Sequence, residues 1–169
     1  MAQYRATGAV DVALLPALER SAGTAFTAWA ELAWIADDAV MDIAEHQRLL
    51  AGGWCYVATL QSAVRGFVCA ERCNSELHIW ELAVHADNQG QGLGTGLIRF
   101  LLQQARGAGI AAATLTTFVE VPWNAPFYQR LGFRLLAFPD LDQRLREILA
   151  AEAAAGLPAD KRCAMRLAL

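Results

Sequence analysis

The stretch ELHIWELAVHADNQGQGLGTGLIRFLLQQAR, residues 76–106, decides the fold. Residues 77–84 form a short, mostly apolar run, which predicts a strand buried on both faces. In residues 89–96 every second position is glycine, which permits close backbone approach to a ligand. From Leu97 onward, apolar residues recur at helical spacing. A helix that follows such a turn presents unpaired N–H groups and a positive dipole end, so the order predicts an anion site.

Spacing decides which kind of anion loop this is. A nucleotide P-loop requires a Gly-Lys pair, and the chain has none. The dinucleotide pattern G-x-G-x-x-G requires glycine where the chain has Thr95 or Leu97. The pattern Gln89-x-x-Gly92-x-Gly94, directly after the strand, resembles the acetyl-CoA signature Q/R-x-x-G-x-G/A of the GNAT superfamily of N-acetyltransferases.

A second segment, TLTTFVEVPWNAPFYQRLGFRLL at residues 114–136, resembles the later strand, loop, helix and strand of the same superfamily. Its local chemistry agrees with that assignment. Residues 114–119 are rich in β-branched and aromatic side chains, which favour a strand. Asn124 is predicted to cap the following helix, and Gly132 is predicted to end it.

The resemblance implies a single GNAT-like acetyltransferase domain over residues 1–169, of mixed α/β (α+β) class, with a partly parallel central sheet flanked by helices. It also implies acetyl-CoA as co-substrate. The loop amides would hold the pyrophosphate, and the strand backbone would pair with the pantetheine arm as an added strand does. Family members often carry a basic residue where this chain has Gly90, so binding here would depend more on backbone donors. The implied cofactor-binding residues are Leu82, Ala83, Val84, Gln89, Gly90, Gln91, Gly92, Leu93, Gly94, Thr95 and Asn124.

Glu81 is the candidate general base, acting directly or through a water molecule. We expect it to share a strand face with Ile79 and Ala83, where loss of hydration raises a carboxyl pKa and makes the group a better proton acceptor. The alternative is a structural Glu81 that is solvated or paired with Arg65 or Arg72.

Glu120 is a rival carboxylate, but its place in a loop favours a solvated side chain. The oxyanion donor would be a main-chain N–H, with Val84 as the first candidate.

Tyr128 is the candidate general acid. A tyrosine pKa of about 10 lies above a thiol pKa of about 8.5, so the phenol is protonated at neutral pH and can donate to the departing sulfur. The alternative is a core tyrosine packed with Phe127 and Phe133.

The residues that bind the acceptor are the part of the site that the sequence indicates least. Phe26, Trp29 and Trp34 could line an apolar pocket beside residues 37–38, both aspartates, which would suit a cationic amine with a hydrophobic body. The alternative assigns the aromatic residues to the core and the aspartates to a solvated helix end.

Composition excludes several classes of function. A chain of 169 residues that is 56% hydrophobic, with a net charge of −3, predicts one buried core. A sequence pI of about 5.6 without a Lys/Arg cluster gives no nucleic-acid footprint. The scattered cysteines and histidines form no metal-ligand pattern, and the cysteines are predicted to be reduced. Because no stretch approaches the length of a membrane span and no leader pattern is present, we expect a cytoplasmic protein.

Periodicity and turn signals predict the remaining elements. These are a strand at 4–10, helices at about 11–25, 29–41 and 42–51, strands at 54–60 and 64–72, a helix at 140–155 and a last strand at 162–169. The apolar character of the last strand also allows a homodimer.

The leading hypothesis is an N-acetyltransferase that moves an acetyl group directly from acetyl-CoA to the primary amine of a small molecule. One alternative is acetylation of a protein N-terminus or lysine. A second is a non-catalytic module that binds acyl-CoA. A third gives the glycines only a role in the turn.

Overall fold

One seven-stranded sheet forms the centre of the computed structural model, which describes residues 1–169. In chain order the strands are β1 (Gln3–Ala6), β2 (Cys55–Leu60), β3 (Ala63–Cys73), β4 (Glu76–Val84), β5 (Ala112–Phe118), β6 (Arg134–Leu135) and β7 (Arg162–Ala168). Their order in space is β1-β2-β3-β4-β5-β7-β6. All neighbours are antiparallel except β4 and β5, so the predicted mixed, partly parallel sheet is confirmed.

Five α-helices flank the sheet. They are α1 (Leu15–Gly23), α2 (Ile43–Ala51), α3 (Leu93–Gly107), α4 (Ala125–Arg130) and α5 (Gln143–Ala154). The first residues of α2 and α5 are capped by Asp42 and Asp142, whose carboxylates accept hydrogen bonds from backbone N–H groups. None of the helices has the length and apolar character that a membrane crossing requires.

The N-terminal third departs from the predicted elements. β1 ends at Ala6 because the chain turns at Gly8, whose N–H donates to the Asp11 carboxylate at 2.7 Å. Asp11 also forms a two-bond ion pair with Arg5, so it fixes this turn and does not cap a helix as predicted.

Residues 24–37, part of which was predicted to be α-helical, form two 3₁₀ segments, Thr24–Ala28 and Ala30–Asp37. Extended backbone at Trp29 separates them. The hydroxyls of Thr24 and Thr27 donate to carbonyls three residues earlier, which favours the tighter helix.

The sheet has a core on each face. α3 covers one face and buries Leu97, Ile98 and Leu101 against the strands. α1 and α2 cover the other face, where Leu15 and Leu49 pack on Phe67. The glycine-rich stretch joins β4, in the sheet, to α3, in the helical layer that covers one face. It therefore lies at the edge of the sheet, between these two layers.

A β-bulge at Trp80 divides β4. Cys69 of β3 pairs with Glu81 and Ala70 pairs with Ile79, so Trp80 has no partner. The extra residue reverses which side chains face α3: Ile79 belongs to the α3 core before the bulge, whereas Ala83 packs in the α1 and α2 core after it. Glu81 therefore shares a face with Ala83, and the predicted sharing with Ile79 is wrong.

The bulge also ends the parallel pairing. β4 and β5 pair from Glu76 and Ala112 to Ile79 and Leu115, and no further. Beyond this point β5 pairs only with β7. The second half of β4 thus has an unpaired edge, and a gap opens between the two strands.

Gly96 has a structural role that its place in the glycine-rich stretch does not reveal. A Cβ at this position would overlap the phenol of Tyr4, which stacks on Phe100. We expect Gly96→Ala to destabilise the fold by about 1–3 kcal/mol in urea denaturation, because Tyr4 must leave its place. Gly107→Ala is the control, since a Cβ there meets no atom within 4 Å. Stabilisation of both variants would contradict this role.

Candidate active site

A cleft of about 850 Å³ occupies the gap where β4 and β5 diverge. α1 and the 3₁₀ segments border one side, and the glycine-rich loop, the start of α3 and α4 border the other. The cleft brings together most of the side chains singled out from the sequence, although they come from separate parts of the chain. The predicted site residues that line the cleft are Phe26, Asp38, Glu81, Leu82, Val84, Gln89, Gly90, Gly92, Leu93, Gly94, Thr95, Asn124 and Tyr128.

The glycine-rich loop has the backbone of an anion site. Gly90 and Gly92 have φ values of 73° and 84°, in the left-handed region that favours glycine. Gly92 immediately precedes α3, so the N–H groups of Leu93, Gly94 and Thr95 have no partner within the helix. The first bond of the helix runs from the Gly96 N–H to the Gly92 carbonyl.

Two glutamine side chains tie this loop down. The Gln89 amide donates to the carbonyls of Val84 and Ala22, at 3.1 and 3.3 Å, which joins the loop to β4 and α1. The Gln91 amide donates to the carbonyl of Asp87 at 3.0 Å. Gln91 is not among the residues that line the cleft.

The unpaired edge of β4 presents backbone donors to the cleft. The His85 N–H donates to the Arg65 carbonyl of β3 at 2.9 Å, and alternate residues of an antiparallel strand point to opposite sides. The N–H groups of Leu82 and Val84 therefore point away from β3. The Leu82 N–H donates to the Glu81 carboxylate at 3.1 Å. Ala83 has the opposite orientation and is buried.

Glu81 lines the cleft without an ion-pair partner. No salt bridge joins it to Arg65, Arg72 or any other cation, and Arg72 donates to the carbonyl of Asn74. Burial, and then the negative charge of Glu19, raise the pKa of Glu81 to about 8, while its bond from the Leu82 N–H acts in the opposite direction. A carboxylate with such a pKa is a competent proton acceptor near neutral pH.

Tyr128 reaches the same cleft from α4. Its ring packs edge-on against Phe127 and Phe133, and only 8% of the residue is exposed. No protein group forms a hydrogen bond with its hydroxyl, which leaves that group available to a ligand. Burial raises the pKa of Tyr128 well above its ordinary value, and the charge of Glu81 raises it further. The hydroxyl is therefore protonated throughout the neutral range.

Asn124 occupies the N-cap position of α4, but its side chain does not cap the helix. Its carbonyl oxygen accepts from the Thr117 hydroxyl at 2.8 Å and from the Phe118 N–H at 3.4 Å. The predicted capping bond is therefore wrong, and Asn124 ties the start of α4 to the end of β5. Its amide nitrogen makes no bond within the protein and remains free at the cleft.

Aromatic side chains line the acceptor side of the cleft. Phe26 meets Trp123 edge-on at 5.4 Å and Phe118 at 5.8 Å between ring centroids. Trp29 supports Trp123 from behind at 6.5 Å and does not line the cleft. Trp34 is 42% exposed and lies outside the cleft. Trp123 was not singled out from the sequence, where only its place beside Asn124 could have drawn attention to it.

Sequence reasoning also missed a polar group beside this aromatic wall. Arg162 of β7 forms an ion pair with Glu152 at 3.0 Å, and its guanidinium lies 4.6 Å from the centre of the Phe118 ring. Glu152 also accepts a bond from the Thr116 hydroxyl of β5. Because the three partners satisfy one another, they add polar surface with little net charge.

The remaining missed residue is Glu19 of α1. Both oxygens of its carboxylate lie within hydrogen-bond distance of the Met41 N–H, at 3.1 and 3.3 Å. Burial raises the pKa of Glu19 to about 7. No sequence motif could have indicated this residue, since its proximity to Glu81 depends on the packing of α1 against β4.

Comparison with known proteins gives a family and a set of folds. The family model described as acetyltransferase (GNAT) domain matches residues 51–135. An uncharacterized N-acetyltransferase, ycf52, of Pyropia yezoensis is 47% identical over 55 residues, and its counterpart in Porphyra purpurea is 44% identical over 55 residues. Each match covers 32% of this chain and only 30% of the relative.

The fold also resembles solved structures along its full length. The PaiA N-acetyltransferase from Thermoplasma acidophilum, solved in complex with coenzyme A, has a TM-score of 0.72 at 14% identity, over 100% of this chain and 99% of that one. The ribosomal-protein-S18-alanine N-acetyltransferase from Escherichia coli has a TM-score of 0.69 at 16% identity, over 99% of this chain and 94% of that one. At these identities the likeness concerns the fold alone.

Proposed function

The chain belongs to the GNAT family of acetyltransferases, and we propose that residues 1–169 act as one domain that transfers the acetyl group of acetyl-CoA directly to a primary amine of a small molecule. The observation that supports this most is the meeting of the glycine-rich loop, the free edge of β4, Glu81 and Tyr128 in one cleft.

Acetyl-CoA fits the backbone donors on the loop side of the cleft. The N–H groups of Leu93, Gly94 and Thr95 face the position that the pyrophosphate would take, where the helix dipole adds attraction. The free edge of β4 around Leu82 would pair with the pantetheine amides, which leaves the Val84 N–H for the oxyanion, and the Asn124 amide is a further donor. Acetyl-CoA supplies the activated acyl group as a thioester.

The transfer needs a base, an oxyanion donor and an acid. Glu81 accepts a proton from the nitrogen of the acceptor, and this nitrogen uses its lone pair to form a bond to the thioester carbon. The Val84 N–H stabilises the negative oxygen of the tetrahedral intermediate. As the carbon–sulfur bond breaks, Tyr128 donates its proton to the sulfur, and the proton held by Glu81 afterwards restores the phenol.

The aromatic wall favours a compact acceptor with an apolar body. Phe26, Trp123 and Phe118 line this side of the cleft with aromatic surface, which suits an apolar body, whereas a peptide acceptor would require an open groove. Acetylation of a protein N-terminus or lysine is therefore the second choice. Glu81 and Tyr128 both face the cleft, which argues against a module that only binds acyl-CoA. The cytoplasmic location and the homodimer remain predictions.

Titration calorimetry with acetyl-CoA tests the cofactor site through Gly94. Gly94→Asp places a carboxylate among the loop amides, where it should repel the pyrophosphate. The variant should still fold, because an acidic residue in the first turn of a helix interacts favourably with the helix dipole. A Cβ at this position lies 3.7 Å from Phe127, so the fold tolerates a side chain. We expect acetyl-CoA affinity to fall by at least tenfold.

Gly94→Asn is the matched control, because it adds nearly the same volume without the charge. It should retain most of the affinity. Failure of the wild-type protein to bind acetyl-CoA, or to acetylate any member of a panel of small primary amines, would overturn the proposed function.

A further inference from the structure

Glu19 and Glu81 line the same cleft from different layers, and the charge of Glu19 acts on Glu81. α1 packs against β4, and both carboxylates line the cleft. Neither forms a salt bridge, and each is held instead by a backbone N–H, from Met41 and Leu82 respectively. Two adjacent carboxylates without a cation are unfavourable for the folded protein, and a ligand that carries a positive charge would relieve that cost.

A second observation points to a ligand at this place. Tyr128 is more than nine-tenths buried, lines the same cleft and has a hydroxyl without a protein partner. A ligand between the carboxylates and this hydroxyl would satisfy all three groups.

None of the other charged and titratable groups around the pair forms an ion pair with either carboxylate, although the charges of Arg20 and Arg162 act to lower the pKa of Glu19 and of Glu81 respectively. Arg162 of β7 is bound to Glu152. Arg20, the next residue of α1, donates to the carbonyl of Asp38. Cys69 of β3 is buried, and burial raises the pKa of its thiol, so it stays neutral. Tyr128 of α4 is also neutral. The pair therefore keeps its affinity for a positive charge.

We propose that Glu19 is a second carboxylate of the active site and that, together with Glu81, it binds the acceptor as a protonated ammonium ion. This inference rests on the proposed acetyl transfer and defines the class of acceptor: a primary amine that is charged at neutral pH.

The proton balance of the reaction also fits two carboxylates. An ammonium nitrogen carries three protons and the amide product carries one, so two protons leave the nitrogen. Glu81 takes the first, which frees the lone pair for attack on the thioester carbon. The second leaves after the carbon–nitrogen bond has formed and passes to Glu19. Tyr128 gives its own proton to the sulfur as the carbon–sulfur bond breaks. One of the two protonated carboxyl groups then returns a proton to Tyr128, and the other releases its proton to solvent.

Binding of a charged probe and its neutral counterpart tests this inference. The probes are 2-phenylethylamine and 2-phenylethanol, titrated calorimetrically into the protein saturated with coenzyme A, so that no transfer occurs. We expect the wild-type protein to bind the amine at least tenfold more tightly than the alcohol. Glu19→Gln should lose most of that preference, while the Gln carbonyl can still accept the bond from the Met41 N–H.

Glu147→Gln, the same change at an exposed position of α5, should keep the full preference. Equal binding of the two probes by the wild-type protein, or an unchanged preference in Glu19→Gln, would overturn the inference. The acetyl-CoA titration is separate: a protein that binds acetyl-CoA and acetylates amines, but shows no effect of Glu19→Gln, keeps the proposed function and loses only this inference.

The pH profile gives a second readout that a purely structural role would not change. The charge of Glu19 raises the pKa of Glu81, so its removal should lower that pKa. The rise of kcat/KM with pH, which reports the ionisation of the base, should move to lower pH in Glu19→Gln and stay in place in Glu147→Gln.

Discussion

Glu81→Gln is expected to lower kcat/KM for acetyl transfer by about 10²- to 10⁴-fold, the range usual for loss of a general base. Gln has nearly the same shape and can still accept the bond from the Leu82 N–H, but it cannot take a proton. In the wild-type protein kcat/KM should rise with pH up to about 8, where Glu81 ionises. That rise should be absent from the residual activity of the variant.

The stability of Glu81→Gln separates loss of chemistry from loss of the fold. The pKa of Glu81 is raised from 4.5 to about 8 in the folded protein. Between these values the unfolded chain releases the proton while the folded chain retains it, so the wild-type protein loses stability as pH rises through this window. The variant should match the wild type at pH 4 and be more stable above pH 8, by about 1 kcal/mol or more.

Thermal or urea denaturation at the two pH values provides the measurement. An inactive variant that is also less stable at pH 8 would indicate a structural Glu81. Full activity in a folded variant would remove Glu81 from the mechanism and leave Glu19 as the remaining carboxylate of the cleft.

The elements around the glycine-rich loop were predictable because their signals are local. An apolar run followed by glycine and then by helical periodicity predicts β4, a turn and α3. The same periodicity did not distinguish one glycine from another. Gly92 needs its left-handed backbone, Gly94 leaves space over the loop amides, and Gly96 is required by Tyr4 of a strand that is distant in sequence.

The shape of the cleft was not predictable, because it depends on a bulge. β4 has no alternation of apolar and polar residues, so one extra residue at Trp80 does not change its sequence pattern. That residue nevertheless turns Glu81 toward α1 and ends the pairing with β5. The positions of Glu19, Trp123 and Arg162 depend in turn on how α1, α4 and β7 pack around that gap. Local patterns predicted the elements, and tertiary packing decided which side chains meet.

Tyr128→Phe is expected to lower kcat by about 10²-fold with little change in KM for either substrate, because the hydroxyl acts when the carbon–sulfur bond breaks. The same change should not weaken the fold. The hydroxyl faces the cleft and makes no hydrogen bond within the protein, so its removal leaves no protein group without a partner.

Tyr56→Phe is the matched control for this variant. Tyr56 is also buried, but it packs against Phe100 under α3 and does not line the cleft. Steady-state kinetics and denaturation of both variants separate the two roles of a buried tyrosine. If Tyr128 serves only the core, both variants should keep full kcat; if it is the acid, only Tyr128→Phe loses activity, and its unchanged stability shows that the loss lies in the proton and not in the packing.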